Sequence, residues 1–184
     1  MRTLSRRDFV EWCTARGLKP GDRERPYYFD ADHHSFLIRL PARPSKALAL
    51  AMWCFPFSKD SDSFQGAMVW VRQWGIWTEG VEEMGMRIIS QMRAGLGEHR
   101  EIAEAPGHVF SEQEFVDARA FWTLPMILGW DAILFPDKCD YFVFNSHDEV
   151  VCFVARERQT YTTLLEQLKP WEPEESAWYF GRSS

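Results

Sequence analysis

Residues 131–155 read DAILFPDKCDYFVFNSHDEVVCFVA. Three short runs in this stretch, Ala132–Phe135, Tyr141–Phe144 and Val150–Ala155, are rich in β-branched and aromatic residues, which predicts strands. Pro136-Asp137-Lys138 predicts the first turn. Asn145-Ser146-His147-Asp148-Glu149, rich in residues that tolerate left-handed backbone, predicts a tight hairpin. Connections this short favour antiparallel pairing.

Upstream, Ser111-Glu112-Gln113-Glu114 is a capping box, with Phe115, Ala118 and Trp122 at helical spacing and Pro125 limiting the helix. Downstream, a helix begins near Glu157, buries Leu164, Leu165 and Leu168, and stops at Pro170. In the first half, Ser5 with Asp8 predicts a cap before Phe9, Trp12 and Cys13, and Gly17 a stop. Residues 18–33 read as a polar loop and Ser35–Leu40 as an alternating strand. Ala47–Phe55 is apolar on both faces, which predicts a strand inside a covered sheet. Ala67–Trp74 follows as a strand, with Met68, Trp70, Arg72 and Trp74 sharing one face. Thr78 caps a helix whose Val81, Met84, Ile88, Ile89 and Met92 recur at helical spacing; residues 97–110 are a charged loop.

The order is α-βββ-α-α-βββ-α. It predicts an α+β fold: a single domain over residues 1–170, with a mixed, mostly antiparallel sheet of about six strands and flanking helices. Residues 171–184 are an acidic and aromatic tail; Trp178, Tyr179 and Phe180 predict that it docks on the domain or on a second copy. Ser5-x-x-Asp8-Phe9-Val10-Glu11 and Ser111-x-x-Glu114-Phe115-Val116-Asp117 suggest an internal pseudo-repeat.

The chain has 184 residues, a net charge of −6 and nine Trp. Residues 1–46 carry ten Lys or Arg against six Asp or Glu, a balance of +4; residues 47–184 carry eleven against twenty-one, a balance of −10. That acidity argues against a nucleic-acid partner. No apolar run approaches the roughly 20 residues of a membrane span, and Met1–Trp12 carries charges where a signal peptide is apolar, so the expected setting is the cytoplasm, away from membranes. Cys13, Cys54, Cys139 and Cys152 show no metal or redox spacing and read as core thiols.

Candidate chemistry is sparse. Asp30-Ala31-Asp32-His33-His34 is the densest set of metal-capable side chains, but neighbours on an extended segment face opposite ways; no metal and no cofactor are expected. Ser146-His147-Asp148 has the letters of a triad without its geometry. A Cys139–His147 dyad is disfavoured because the two flank one strand at opposite ends. No Gly-rich phosphate loop is present. Trp70, Trp74 and Trp77 with Trp53 form the aromatic concentration; the binding candidates are Trp70, Trp74 and Trp77, with Arg72 between two Trp, and His33 and His147. The function expected is a non-catalytic, cytoplasmic protein-interaction or regulatory module of inhibitor or immunity type, binding a protein partner or a second copy. The alternative is a small-ligand-binding protein or enzyme with a Trp-lined pocket.

Overall fold

A computed structural model describes residues 1–20, 27–29, 33–55, 64–74 and 81–175. Trp77, Asp30, Asp32 and the aromatic tail residues 178–180 lie outside them.

The strands are β1 (Arg2–Leu4), β2 (Leu18–Pro20), β3 (Tyr27–Phe29), β4 (His34–Arg39), β5 (Ala67–Gln73), β6 (Gly107–Phe110), β7 (Asp131–Pro136), β8 (Tyr141–Ser146), β9 (Val150–Ala155) and β10 (Glu174–Glu175). The helices are α1 (Arg6–Thr14), α2 (Pro44–Trp53), α3 (Val81–Gly95), α4 (Phe115–Leu128) and α5 (Arg158–Leu168). Eight strands form one sheet in the order β1-β6-β5-β7-β8-β9-β4-β10, and β2 and β3 make a separate hairpin. The expected α+β single domain is what the chain forms. The sheet is antiparallel at every described pairing and wider than six strands, because the short β1, β6 and β10 extend it.

The sheet is covered on both sides. Phe36, Ile38, Val69, Val71, Leu134, Val143, Val151 and Phe153 face α2, α4 and α5, joined by Ile89 of α3. Met68, Trp70, Ile133, Phe135, Phe142, Phe144, Cys152 and Val154 face α1. Double coverage explains why β7, β8 and β9 are apolar at nearly every position.

Ala47–Phe55 is the main correction. It is helix α2, with Pro44 at its first position. Ala, Leu and Met are strong helix formers, and the segment has no β-branched residue. Ala47, Leu50, Ala51 and Cys54 are its buried positions, spaced i, i+3, i+4, i+7. Two further corrections follow the same logic. Residues 107–110 of the expected loop are β6, whose Gly107 opposes Trp70 and Phe110 opposes Ala67. In α3 the inward positions are Gly85, Ile89 and Arg93, while Met84 and Ile88 are exposed.

Both expected caps form. Ser5 with Asp8, and Ser111 with Glu114, make reciprocal capping boxes. They follow β1 and β6, which pair with each other. Phe9 then enters one side of the sheet and Phe115 the other. The element order β-α-β-β-β-α occurs twice, from β1 to α2 and from β6 to α5. Only the second copy keeps its three strands together as neighbours in the sheet.

Candidate functional site

The strand directions put the ends of β5, β8 and β4 beside the starts of β7 and β9. Gln73 opposes Asp131, and Val150 opposes both Ser146 and Arg39. At this end the carboxylate oxygen Oδ1 of buried Asp131 accepts the His147 backbone N–H at 2.9 Å and lies 2.8 Å from His147 Nδ1. Asp148 is 3.6 Å from His147 Nε2. Ser146 Oγ accepts from the Asp148 backbone N–H at 3.2 Å, closing the turn locally. Asn145, on the helical side, donates to the carbonyls of Trp130 at 2.8 Å and Pro125 at 3.4 Å. The pair His147–Asp131 is therefore a pin that fixes the β8–β9 hairpin to β7. Asp131 carries no sequence signal beyond preceding an apolar run.

Arg72 and Trp74 belong to the same end, but not to one face with Trp70. The register slips between Val71 and Gln73, so Arg72 is the extra residue of a bulge. Beyond it the alternation inverts: Trp70 stacks on Phe9 in the α1 core, and Trp74 packs on the opposite core. Trp70 is thus buried and Arg72 half-buried. His33 and His34 stand at the other end of the sheet, where His34 opposes Ala155 and its ring lies 5.5 Å from Tyr161. His33 and His147 are separated by the length of a six-residue strand, on the order of 20 Å. Among the described residues, no three of His, Cys, Asp or Glu are placed to hold a metal ion.

All four cysteines are buried and unpaired. Burial pushes the thiols of Cys54, Cys139 and Cys152 up to about 12, and that of Cys13 higher still. At Cys139, Asp137 and Asp140 add to the rise while Arg16 and Arg156 oppose it. Thiols held protonated are poor nucleophiles. Cys139 and His147 flank β8 at its two ends, as the strand length requires.

Among the described residues, grooves open on the helical side, and two of them bear on function. The first, of about 340 Å³, lies at the His34 end between the Pro136–Tyr141 turn and the start of α5, and is lined by Gln65, Asp137, Lys138, Asp140, Gln159 and Thr163 among others. Gly66 forms its edge with φ +116°, and a Cβ there would meet the Phe110 carbonyl at 2.9 Å. The second, of about 510 Å³, lies at the His147 end between α2 and the turn after α5. Lys46 and Trp53 come from α2; Trp171, Glu172 and Glu174 come from the facing wall; Arg39 and Pro41 lie below. Arg39 Nε reaches Glu174 Oε1 at 3.1 Å. This wall exists because Glu174 and Glu175 pair with Leu37 and Phe36 of β4 while Trp171 packs on the core. Trp53 is visible in the sequence as part of the aromatic concentration, but not as a groove wall, because its segment reads as a buried strand; Trp171 reads only as the start of the tail.

The solvent side of the helices is unusually apolar. α4 packs between α2 and α3. Leu48, Met52 and Trp53 of α2, Met84 and Ile88 of α3, and Val116 and Ile127 of α4 are all exposed, Val116 to 74%.

No known protein family, curated protein or solved structure matches the chain. No helix among the described residues is long and apolar enough to cross a membrane.

Proposed function

We propose that this chain is a non-catalytic protein-interaction module of the cytoplasm, of inhibitor or immunity type. Its docking surface is the outer face of the α2–α4–α3 layer, and its occupant is a basic protein with an apolar centre. The observation that carries this reading is the set of seven large apolar side chains left exposed on three adjacent helices. Contiguous exposed apolar patches larger than a few hundred Å² mark interaction surfaces. Helices of ten to fifteen residues, set about 10 Å apart, present a face of about 600 Å². With its rim, that approaches the roughly 800 Å² per partner of a standard interface.

The partner's charge follows from the chain's own. Residues 47–184, which include α3, α4 and α2 from Ala47 onward, carry a balance of −10; the three helices themselves are close to neutral, so this acidity lies outside them. Such a field speeds the approach of a basic surface. The thiols support the same reading, since none is poised as a nucleophile. Neither of these two grooves is lined by His33, His34 or His147, polar groups on which the alternative of a small-ligand binder or enzyme with a Trp-lined pocket would draw, although the second is lined by Trp53 and Trp171.

The test is photo-crosslinking from position 116 in the native host, followed by rebuilding the complex from two purified components. The expected result is a partner of basic pI, an equimolar complex that weakens as salt rises from about 50 to about 300 mM, and loss of binding in Leu48→Glu and Ile127→Glu with unchanged melting curves. An acidic partner, a second copy of the chain as sole product, or full affinity in both variants overturns the reading.

A further inference from the structure

The groove between α2 and Trp171 holds a second kind of information, and it rests on the proposed binding of a basic partner. We propose that this groove takes a single arginine or lysine side chain of that partner, held against the indoles of Trp53 and Trp171 and beside the carboxylate of Glu172.

The cavity, at about 510 Å³, is far larger than one side chain needs, so its chemistry decides the occupant. One wall is Pro170, Trp171, Glu172 and Glu174, all from the segment after α5. The facing wall is α2, which contributes Trp53, 41% exposed, and Lys46. Indole faces are the strongest aromatic acceptors of cations, and carboxylates beside them complete a cation site. The second charge on the acidic wall, Glu174, is already engaged by Arg39. Glu172 makes no salt bridge among the described residues, and neither does Lys46. Lys46 and Trp53 are seven residues apart on one helix, so their backbones are separated by about 10 Å along its axis. The two side chains therefore leave the α2 wall about two helical turns apart. Glu172 holds a left-handed backbone, φ +53°, at the turn that brings this wall opposite α2.

Trp53 belongs both to this groove and to the exposed α2 face with Leu48 and Met52. A pocket lined by Trp at the edge of an apolar interface is where a binding anchor sits, and arginine is among the residues most often found as one.

The test uses the intact chain labelled with ¹⁵N on its indole groups, with the Trp53 and Trp171 signals assigned from Trp53→Phe and Trp171→Phe. The probes are N-acetylarginine amide and, as the opposite charge, N-acetylaspartate amide. The arginine probe should shift both indole signals, and the aspartate probe should shift neither. Glu172→Gln should weaken the arginine probe about threefold, and Lys46→Gln should strengthen it by a similar factor. Both substitutions are at exposed positions, so they keep the test valid should the Trp variants fold poorly. Shifts with the aspartate probe, or the opposite signs for Glu172→Gln and Lys46→Gln, overturn the proposal. So does the absence of any shift at Trp53 and Trp171. Ile127→Glu separates the two readings: it should abolish the partner complex and leave the arginine probe's binding unchanged. A partner complex that survives Glu172→Gln at full affinity defeats the groove proposal alone.

Discussion

Phe9 lies flat on Trp70, their ring centroids 3.6 Å apart and their planes inclined by 16°. The first comes from the capped helix α1 and the second from the middle of β5, so one stacked pair fastens the N-terminal segment to the sheet. Phe135 of β7 meets Phe9 at 6.0 Å and Trp12 at 5.6 Å, which makes the contact a cluster. Trp70→Ala should cost about 3–5 kcal/mol, the usual range for emptying a buried aromatic site. Trp70→Phe should cost less, because the stack survives. Urea unfolding at neutral pH measures both. A Trp70→Ala midpoint equal to wild type would show that the Phe9–Trp70 stack does not hold the N-terminal segment to the sheet.

His108 sets a second expectation. It lies on β6, fully buried, with its ring 4.2 Å from Phe121. Its ring nitrogens face the carbonyls of Val69 and Pro106 without a well-formed hydrogen bond. Burial, helped by the neighbouring Arg93 cation and opposed by those carbonyls and by Glu98, lowers its pKa from 6.5 to about 3. A proton then binds the unfolded chain more readily than the folded one between those two values. Stability is complete above pH 6.5 and falls as the pH drops, by up to about 1.4 kcal/mol per unit within the window. Glu98, whose carboxylate is held down by Arg100 and Thr3, adds a loss of the same sign below pH 4.5. Between pH 5 and 6.5 the difference between the wild type and His108→Leu therefore reads His108. The wild type should lose stability there as the pH falls, more steeply than His108→Leu. Parallel slopes for the two proteins would refute the assignment.

The hairpins and caps were legible because their signals are local. Ser5 and Ser111 sit beside their own partners, and the β8–β9 turn has polar residues between two apolar runs. The α2 segment was misread because a helix apolar all round and a central strand share one composition; only its spacing of buried positions and its lack of β-branched residues distinguish them. The bulge at Arg72 depends on pairing with Ala132 and Asp131, sixty residues away, so nothing near Arg72 announces it. The Trp53–Trp171 groove required both the helix and the return of residues 174–175 to β4. Each of these is a long-range event that follows from packing.

Asp131 is the residue whose removal should loosen the sheet end most selectively. Its buried oxygen serves the His147 backbone and ring together. Asp131→Ala leaves that backbone N–H without its acceptor, at a cost of about 1–3 kcal/mol. Amide exchange should accelerate in the β8–β9 turn before it does elsewhere. Uniform acceleration across the sheet would show that Asp131 supports the whole fold and not the hairpin.

Gly85 offers the sharpest packing test. It is buried on α3, at the crossing of α3 with the end of α4. A Cβ at this position would stand 2.8 Å from Leu128 Cδ1 and 2.9 Å from the Trp130 ring. Leu128 is the flexible end of a half-buried side chain and can turn away; Trp130 is locked in the core beneath it. The helix would gain from Gly→Ala by roughly 0.5–1 kcal/mol in propensity, while forcing the ring costs typically 1–3 kcal/mol. Clash exceeds propensity, so Gly85→Ala should destabilise the chain, and Gly85→Val should do so more. Leu128→Ala removes the 2.8 Å contact but leaves the 2.9 Å contact with the Trp130 ring, so it relieves part of the clash. Gly85→Ala combined with Leu128→Ala should therefore cost somewhat less than the two single changes added together, while remaining more costly than Leu128→Ala alone. Strictly additive costs in thermal melts of the four proteins would show that the Trp130 ring alone carries the clash.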